Sequence, residues 1–513
     1  MTGSLNAAQR ARDLESLASG RVVDVLVVGG GVTGTGVALD AASRGLSVAL
    51  VERRDLAHGT SRWSSKLVHG GLRYLARGEL GLAYESARER GLLMERIAPH
   101  LVRPLPMLLP LELGVPGRQA ALVGAGFRTG DLLRLLARTR RDTLPRPRRL
   151  SRVETRCILP GVRGAGLRGG LLAWEGQLVD DARLVVALAR TAARYGARVV
   201  TRCAALTLAE GGARVRDELT GIAYDVHARA VINATGVWAG GLAAGVRLRP
   251  SRGTHLVVSA GRLGGLGAGL TMPVPGEPDR FVFALPQPDG LAYVGLTDEP
   301  VGGEPEDPPR AQRYEVDFLL RVVSTALETP LGPSDVLGTF SGVRPLLDGP
   351  AGSRSADLSR RHAVIADADG VVTVVGGKLT TYRRMAQDAL DAALARSGLR
   401  AGPCVTSRLP LVGAAPSTLL DGVPSPRRLV GRYGTEAPAV LAAAGGDPDL
   451  LLPLAEGLEV TGAELVWGLR HEGALGVDDL LDRRTRVGLV PADRARALPV
   501  AERLAAGAHP ARA

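Results

Sequence analysis

The stretch RVVDVLVVGGGVTGTGVALDAASRGLSVALVER, Arg21 to Arg53, restricts the fold of this chain more than any other. Its run from Val22 to Val28 is β-branched and apolar almost throughout, the pattern of a strand buried on both faces of a parallel sheet. Gly29, Gly31 and Gly34 follow as GxGxxG, then small residues at helical spacing, then a second strand, Ser47 to Val51, ending in Glu52. Each part has a mechanical reason. Gly29 permits a tight turn, Gly31 lets a pyrophosphate approach the backbone, and Gly34 lets helix and strand pack closely. The helix N-terminus offers N–H groups and the positive end of its dipole to the phosphates. Glu52 stands where a carboxylate accepts hydrogen bonds from a ribose diol. In this order the parts predict an α/β, Rossmann-like dinucleotide domain.

The segment HGTSRWSSKLVHGGLRYL, His58 to Leu75, is too polar for a core element. Its Thr60, Ser61, Ser65, Lys66, Gly70 and Gly71 suit a loop that wraps a large, anionic, aromatic cofactor, more wrapping than a diffusible nicotinamide calls for. For Lys66, contact with a cofactor phosphate and support of the loop are equally open. A strand in ARAVINATGVWA ends at Ala234, Thr235 and Gly236, where a glycine again lets backbone approach the dinucleotide. A second strand–glycine–helix unit lies in VVTVVGGKLTTYRRMAQDALDAALARSG, with Thr380 or Thr381 expected as N-cap. Among 64 basic residues only Lys66 and Lys378 are lysines, so a lysine kept directly after a Gly-Gly pair stands out.

At 513 residues the chain has room for two or three domains. Aromatics make up only 3%, so Leu, Val and Ala must fill the cores. Cys157, Cys203 and Cys404 are too few and too scattered for a disulfide framework or a metal site, and no metal is expected. The first twenty residues lack the apolar region of a secretory signal, and no apolar run is long enough to span a bilayer. A net charge of +12 admits anionic partners, but no nucleic-acid motif is present; an anionic membrane surface is the better match. Arg134 to Arg156 holds nine arginines and two acids after a stretch with a potential apolar face, which suits attachment to anionic lipid or a solvated basic face.

The chain resembles the FAD-dependent glycerol-3-phosphate dehydrogenases, within the wider D-amino-acid-oxidase-like flavoprotein fold. VGGGVTGTGVALDAASRG and GGKLTTYRRMA are similar to that family's two signatures. SSKLVHGGLRYL, VDDARLV, NATGVWA, GTHLVV, GLTDEP and FSGVRPL occur between them in the family's order, and HEGALGVDDLLDRRTRVGL extends the likeness toward the end. The resemblance implies FAD as cofactor, with Gly377, Leu379 and Thr380 turned toward the flavin ring. It implies oxidation of sn-glycerol 3-phosphate to dihydroxyacetone phosphate, with electrons passed to a membrane quinone from the cytoplasmic face of the plasma membrane. Arg73, Tyr74, Arg344 and Arg360 are the expected substrate-phosphate contacts, and Lys378 the cation beside the reacting oxygen, where the broad fork of an arginine would not fit. His255 is the first candidate for general base, with Lys378 as the alternative; Thr297 and Asp298 are expected in the same cavity. Rival readings are an oxidase of the same substrate, an amine or amino-acid oxidase, and a non-catalytic flavin-binding or membrane-binding scaffold.

The expected domains are a discontinuous FAD-binding domain (21–77, 171–245 and 338–399), a mixed α+β substrate domain (78–170 and 246–337) and a small C-terminal helical domain (405–513). Leu409 to Ser417 is expected as a linker. The helices after it suit packing on the rest of the chain or contact with a second copy in a homodimer.

Overall fold

Valine and leucine occupy nearly every position of Val23–Val28, and burial on both sides follows: Val25 and Val27 point to one face of the sheet, Leu26 and Val28 to the other. In this computed structural model, which describes residues 3–71, 78–111, 117–243, 245–348 and 361–508, that strand is the centre of the cofactor sheet. Val27 pairs with Leu50 on one side and Ile232 on the other. The strand order is His362–Ala366, Val372–Gly376, Ala223–Asn233, Val23–Val28, Val48–Val51, Arg198–Val200, all parallel except the first.

Helices Val32–Ser43, Asp181–Arg194 and Tyr382–Ser397 cover one face of this sheet through Val37, Leu184, Leu188, Met385 and Leu390. The other face packs on Leu14 and Leu17 of helix Ala7–Ala18 and on Ala213 and Val215 of the hairpin Cys203–Ala209/Gly212–Asp217. All parallel-strand ends that matter for a cofactor therefore open at one edge, where Gly29, Ala234 and Gly377 follow their strands.

A second sheet of ten strands is mainly antiparallel. Its strands Ser251–Ser259, Leu291–Gly295 and Glu277–Pro286 alternate: Leu256, Val258, Ala292 and Val294 face helix Arg313–Thr325, while His255, Val257 and Tyr293 face the opposite way. The expected seams at 171 and 338 do not follow the sheets. Gly170–Leu178 pairs along its length with Val102–Pro110, and Val336–Arg344 with Ser251–Ser259, so both strands belong to the second sheet. Each begins beside one of those seams, and sequence alone does not reveal which sheet a strand joins.

The chain from Leu409 to Ser417 is no free linker. Leu409, Leu411 and Val412 are buried in the main core, with Leu411 N–H donating to Ile97 O and Val412 N–H to Thr191 Oγ1. Helices Arg427–Tyr433, Ala437–Ala442, Gly462–His471 and Pro491–Ala508 then build the C-terminal domain, which packs on the rest of the chain. Among the described residues no helix is long and apolar enough to cross a membrane.

Candidate active site

The glycine turn is built from backbone. Gly29 has φ +112°, and a Cβ there would lie 2.6 Å from Ala234 O; a Cβ on Gly34 would lie 1.9 Å from Gly29 O. Gly31 is the N-cap of Val32–Ser43 and supplies no side chain to cap it, which suits this helix end to an anion. Glu52 directly follows its strand, with the carboxylate accepting from the N–H groups of Gly30 (2.6 Å) and Arg54 (2.7 Å). Burial pushes its pKa up against those two bonds. A carboxylate with further lone pairs beside a glycine turn fits the ribose of a dinucleotide. Thr235 bonds to Asn233 Oδ1 through both its N–H and its hydroxyl, and Gly236 follows at φ +62° with open space around its missing Cβ.

The loop after Glu52 is stitched to everything around it. Ala57 N–H donates to Gly30 O, and Ser61 Oγ accepts from Val32 N–H at 3.0 Å, so Ser61 stands at the helix end. Thr60 Oγ1 donates to Val343 O at 2.6 Å, in the second sheet. Lys66 is fully buried at φ +57°, its ammonium 2.9 Å from Asp181 and 2.6 Å from Arg62 O. Of the two readings of Lys66, loop support is the one its bonds favour: the cation is spent on Asp181 and does not reach out to a phosphate. Ser65 has turned its hydroxyl to His255 Nε2, 2.8 Å away.

His255 sits on a sheet face cleared by glycines. Its ring lies over Gly295, where a Cβ would stand 2.1 Å from Cδ2. On the adjoining strand Phe340 stacks on the imidazole, with centroids 4.6 Å apart and planes at 9°. Arg344 lies over Gly253, two residues before His255 on the same strand face. Trp63 of the loop packs over Gly342 and stacks on Phe340 from 6.0 Å. Burial first, then Lys66 and Arg344, drive the imidazole pKa well below 6.5, so the ring is neutral at ordinary pH. Among the described residues, its Nδ1 and the Trp63 Nε1 are buried without a hydrogen-bond partner. Arg344 Nη1 donates to Asp298 (3.1 Å) and Ser251 Oγ (3.2 Å), and Nη2 to Thr297 O (3.2 Å), so part of its charge is already balanced.

The second glycine unit approaches from the other side. Gly376 and Gly377 both have φ +75°, a double left-handed step closed to other residues without strain. Lys378 and Leu379 are half-buried just beyond it, and Lys378 helps to hold down the pKa of His69, which burial lowers to about 4. Thr381 is the N-cap of helix Tyr382–Ser397, one of the two expected positions, but no side chain caps its N–H groups. Thr380 Oγ1 accepts from His69 N–H at 3.1 Å, and Thr381 Oγ1 donates to Lys378 O at 3.2 Å. Gly70 N–H donates to Glu175, and Gly71 has φ +83°. The structure thus gathers His255, Arg344, Ser65 and Lys66 in one group and Lys378, Thr380, His69 and Gly70 in another, joined by the short strand Leu67–Val68. Arg73, Tyr74 and Arg360 lie outside the described residues.

Sequence reasoning gave no role to Trp63, Phe340 or Asp181. The signal for Trp63 was present in Gly342, since glycine inside a strand marks a close approach; Phe340 carried no such mark. Asp181 showed only as half of an Asp-Asp pair at a helix start.

Comparison with known proteins agrees with this geometry. Residues 24–383 match the family described as FAD dependent oxidoreductase, and residues 404–508 match the C-terminal domain of alpha-glycerophosphate oxidase. The chain is 53% identical to glycerol-3-phosphate dehydrogenase 1 of Mycobacterium tuberculosis, with 98% of each chain covered. It is 34% identical to the mitochondrial glycerol-3-phosphate dehydrogenase of Mesocricetus auratus, over 94% of this chain and 70% of that one. The structure of a glycerol-3-phosphate dehydrogenase from Bacillus halodurans complexed with FAD is similar at TM-score 0.75 and 26% identity, covering 97% of this chain and 92% of that one. The glycine turn, Glu52 and the wrapped loop fit FAD. The chain belongs to the FAD-dependent oxidoreductase family, is an enzyme with FAD as its cofactor, and continues into the C-terminal domain of alpha-glycerophosphate oxidase.

Proposed function

We propose that this enzyme oxidises sn-glycerol 3-phosphate to dihydroxyacetone phosphate and passes the electrons to a membrane quinone. The observation that carries this reading is His255: a buried neutral imidazole with an unpartnered Nδ1, one strand position pair from an arginine. FAD, when bound, supplies the acceptor for the hydride from C2. His255 takes the proton of the C2 hydroxyl, which a neutral ring can do and an imidazolium cannot. Ser65 and Phe340 fix the plane of the ring, and burial, helped by the cations Lys66 and Arg344 nearby, holds the ring neutral. Arg344 grips the phosphate or the developing carbonyl oxygen while Asp298 and Ser251 hold its fork in place. Lys378 supplies a compact cation at the second glycine unit. Arg73, Tyr74 and Arg360 complete the proposed phosphate clamp. The relatives named glycerol-3-phosphate dehydrogenase support this choice of substrate.

Quinone as acceptor goes with attachment to the cytoplasmic face of an anionic membrane. Leu132, Leu135 and Leu136 of helix Gly117–Leu136 are about half exposed, beside exposed Arg138, Arg140 and Arg141. Arg134 departs from the expected basic surface: it is buried, bonded to Asp131 and Thr139 O.

Anaerobic titration of the purified yellow protein with glycerol 3-phosphate should bleach the flavin stoichiometrically. Added quinone should restore the colour faster than oxygen does, with little peroxide. Bleaching by amino acids instead would overturn the substrate; rapid reoxidation by oxygen with matching peroxide would make the protein an oxidase.

A further inference from the structure

The loop that packs against the glycine turn is also gripped from behind by the C-terminal domain. Asp55, three residues after Glu52, is 1% exposed. Its Oδ2 accepts from Arg483 Nε (2.6 Å) and Arg484 Nη1 (2.8 Å), and its Oδ1 from Arg484 Nη2 (2.9 Å). Both arginines are themselves anchored within the C-terminal domain. Arg484 donates through Nε and Nη2 to Glu472 O, and Arg483 pairs with Asp479, which also accepts from Leu475 N–H and Arg202. Burial pushes the carboxyl of Asp55 up, but Arg484 and Arg483 outweigh it and hold the group well below the usual carboxylate range. From Asp55 the chain runs directly into Ala57, bonded to Gly30 O, and Ser61, bonded to Val32 N–H at the helix end. A fully paired, dry carboxylate therefore ties the C-terminal domain to the wall of the dinucleotide site.

We propose that the C-terminal domain retains FAD, with Asp55, Arg483 and Arg484 as positioning residues that latch the Arg53–Lys66 loop against the glycine turn. The idea rests on the FAD site alone and not on the identity of the substrate. It gives the C-terminal domain a task on the cofactor, although none of its described side chains needs to touch it. Breaking the latch lets the loop swing away from Gly30 and Val32, so the wall of the site opens and FAD leaves sooner.

The test is the rate of FAD release from purified holoenzyme, followed by the fluorescence of freed flavin after dilution. Asp55→Asn removes the charge that faces two buried arginines. Arg483→Lys is the milder variant: it keeps the charge but loses the planar fork whose separate nitrogens donate to Asp55 and to Asp479. Glu436→Gln is the control, because it loosens the same domain at Arg190, away from the loop. Release at least about tenfold faster than wild type in Asp55→Asn or Arg483→Lys, with Glu436→Gln of matched melting temperature within about twofold, supports the latch. Release at the wild-type rate, or no faster than in the matched control, overturns it. Should Asp55→Asn not fold, Arg483→Lys alone decides. Failure to turn over glycerol 3-phosphate would leave these rates, and this conclusion, unchanged.

Discussion

Glycine performs opposite tasks in the two sheets. In the parallel sheet, Gly29 and Gly34 bring backbone to backbone: carbonyls of Ala234 and Gly29 occupy the space where a Cβ would be. In the antiparallel sheet, Gly253 and Gly295 lie in or at the end of extended strands, and their missing Cβ atoms make room for the side chains of Arg344 and His255. The first arrangement holds a cofactor with main-chain groups that no side-chain change can supply. The second presents an imidazole and a guanidinium in a dry setting, with one aromatic wall and few degrees of freedom. A methyl group is therefore the right probe of both, because it should produce different failures.

Gly34→Ala should have the largest effect. The clash is backbone on backbone, with no flexible tip to move aside, so FAD affinity should fall by about 100-fold or more, roughly 3 kcal/mol, and the protein should purify colourless. If it keeps its yellow colour, the contrast between the two sheets is wrong. Gly295→Ala should leave FAD in place but push the imidazole out, lowering kcat by about 100-fold. The pH profile sharpens this. Burial, Lys66 and Arg344 all disfavour the imidazolium, so neutral His255 persists below pH 6.5 and wild-type kcat/KM should stay level as pH falls through that value. In Gly295→Ala the displaced ring regains water and its acid limb should move up toward 6.5. A wild-type limb already at 6.5 would argue against a desolvated base. Gly253→Ala should do least. The atom in the way is the far end of Arg344, which can shift, so KM for glycerol 3-phosphate should rise about three- to tenfold with a smaller change in kcat.

These same two regions mark how far the sequence could be read. Val23–Val28, the glycines and Glu52 were legible because their constraints are local: a buried strand, a tight turn and a strand-end acid lie within a few dozen residues. The second glycine unit was legible for the same reason. The assignment of Gly170–Leu178 and Val336–Arg344 to the second sheet was not, since nothing within a strand names its neighbours. Lys66 shows the limit most clearly. Its partner Asp181 is 115 residues away, and a lysine in a polar loop reads as a surface cation until the fold buries it. Trp63 and Phe340 escaped for a related reason: their contact depends on a loop and a strand that meet only once both domains have formed.

The buried thread Leu409–Val412 bears on how the molecule tolerates cutting and splicing. Leu409, Leu411 and Val412 fill space that belongs to the cofactor half, so the boundary near residue 404 is a seam in family membership but not in packing. Trimming the polypeptide there would strip three apolar plugs from the larger half and leave a hole lined by its own aliphatic residues. The two pieces should inherit together and fold together, like one garment whose lining is sewn from both sides.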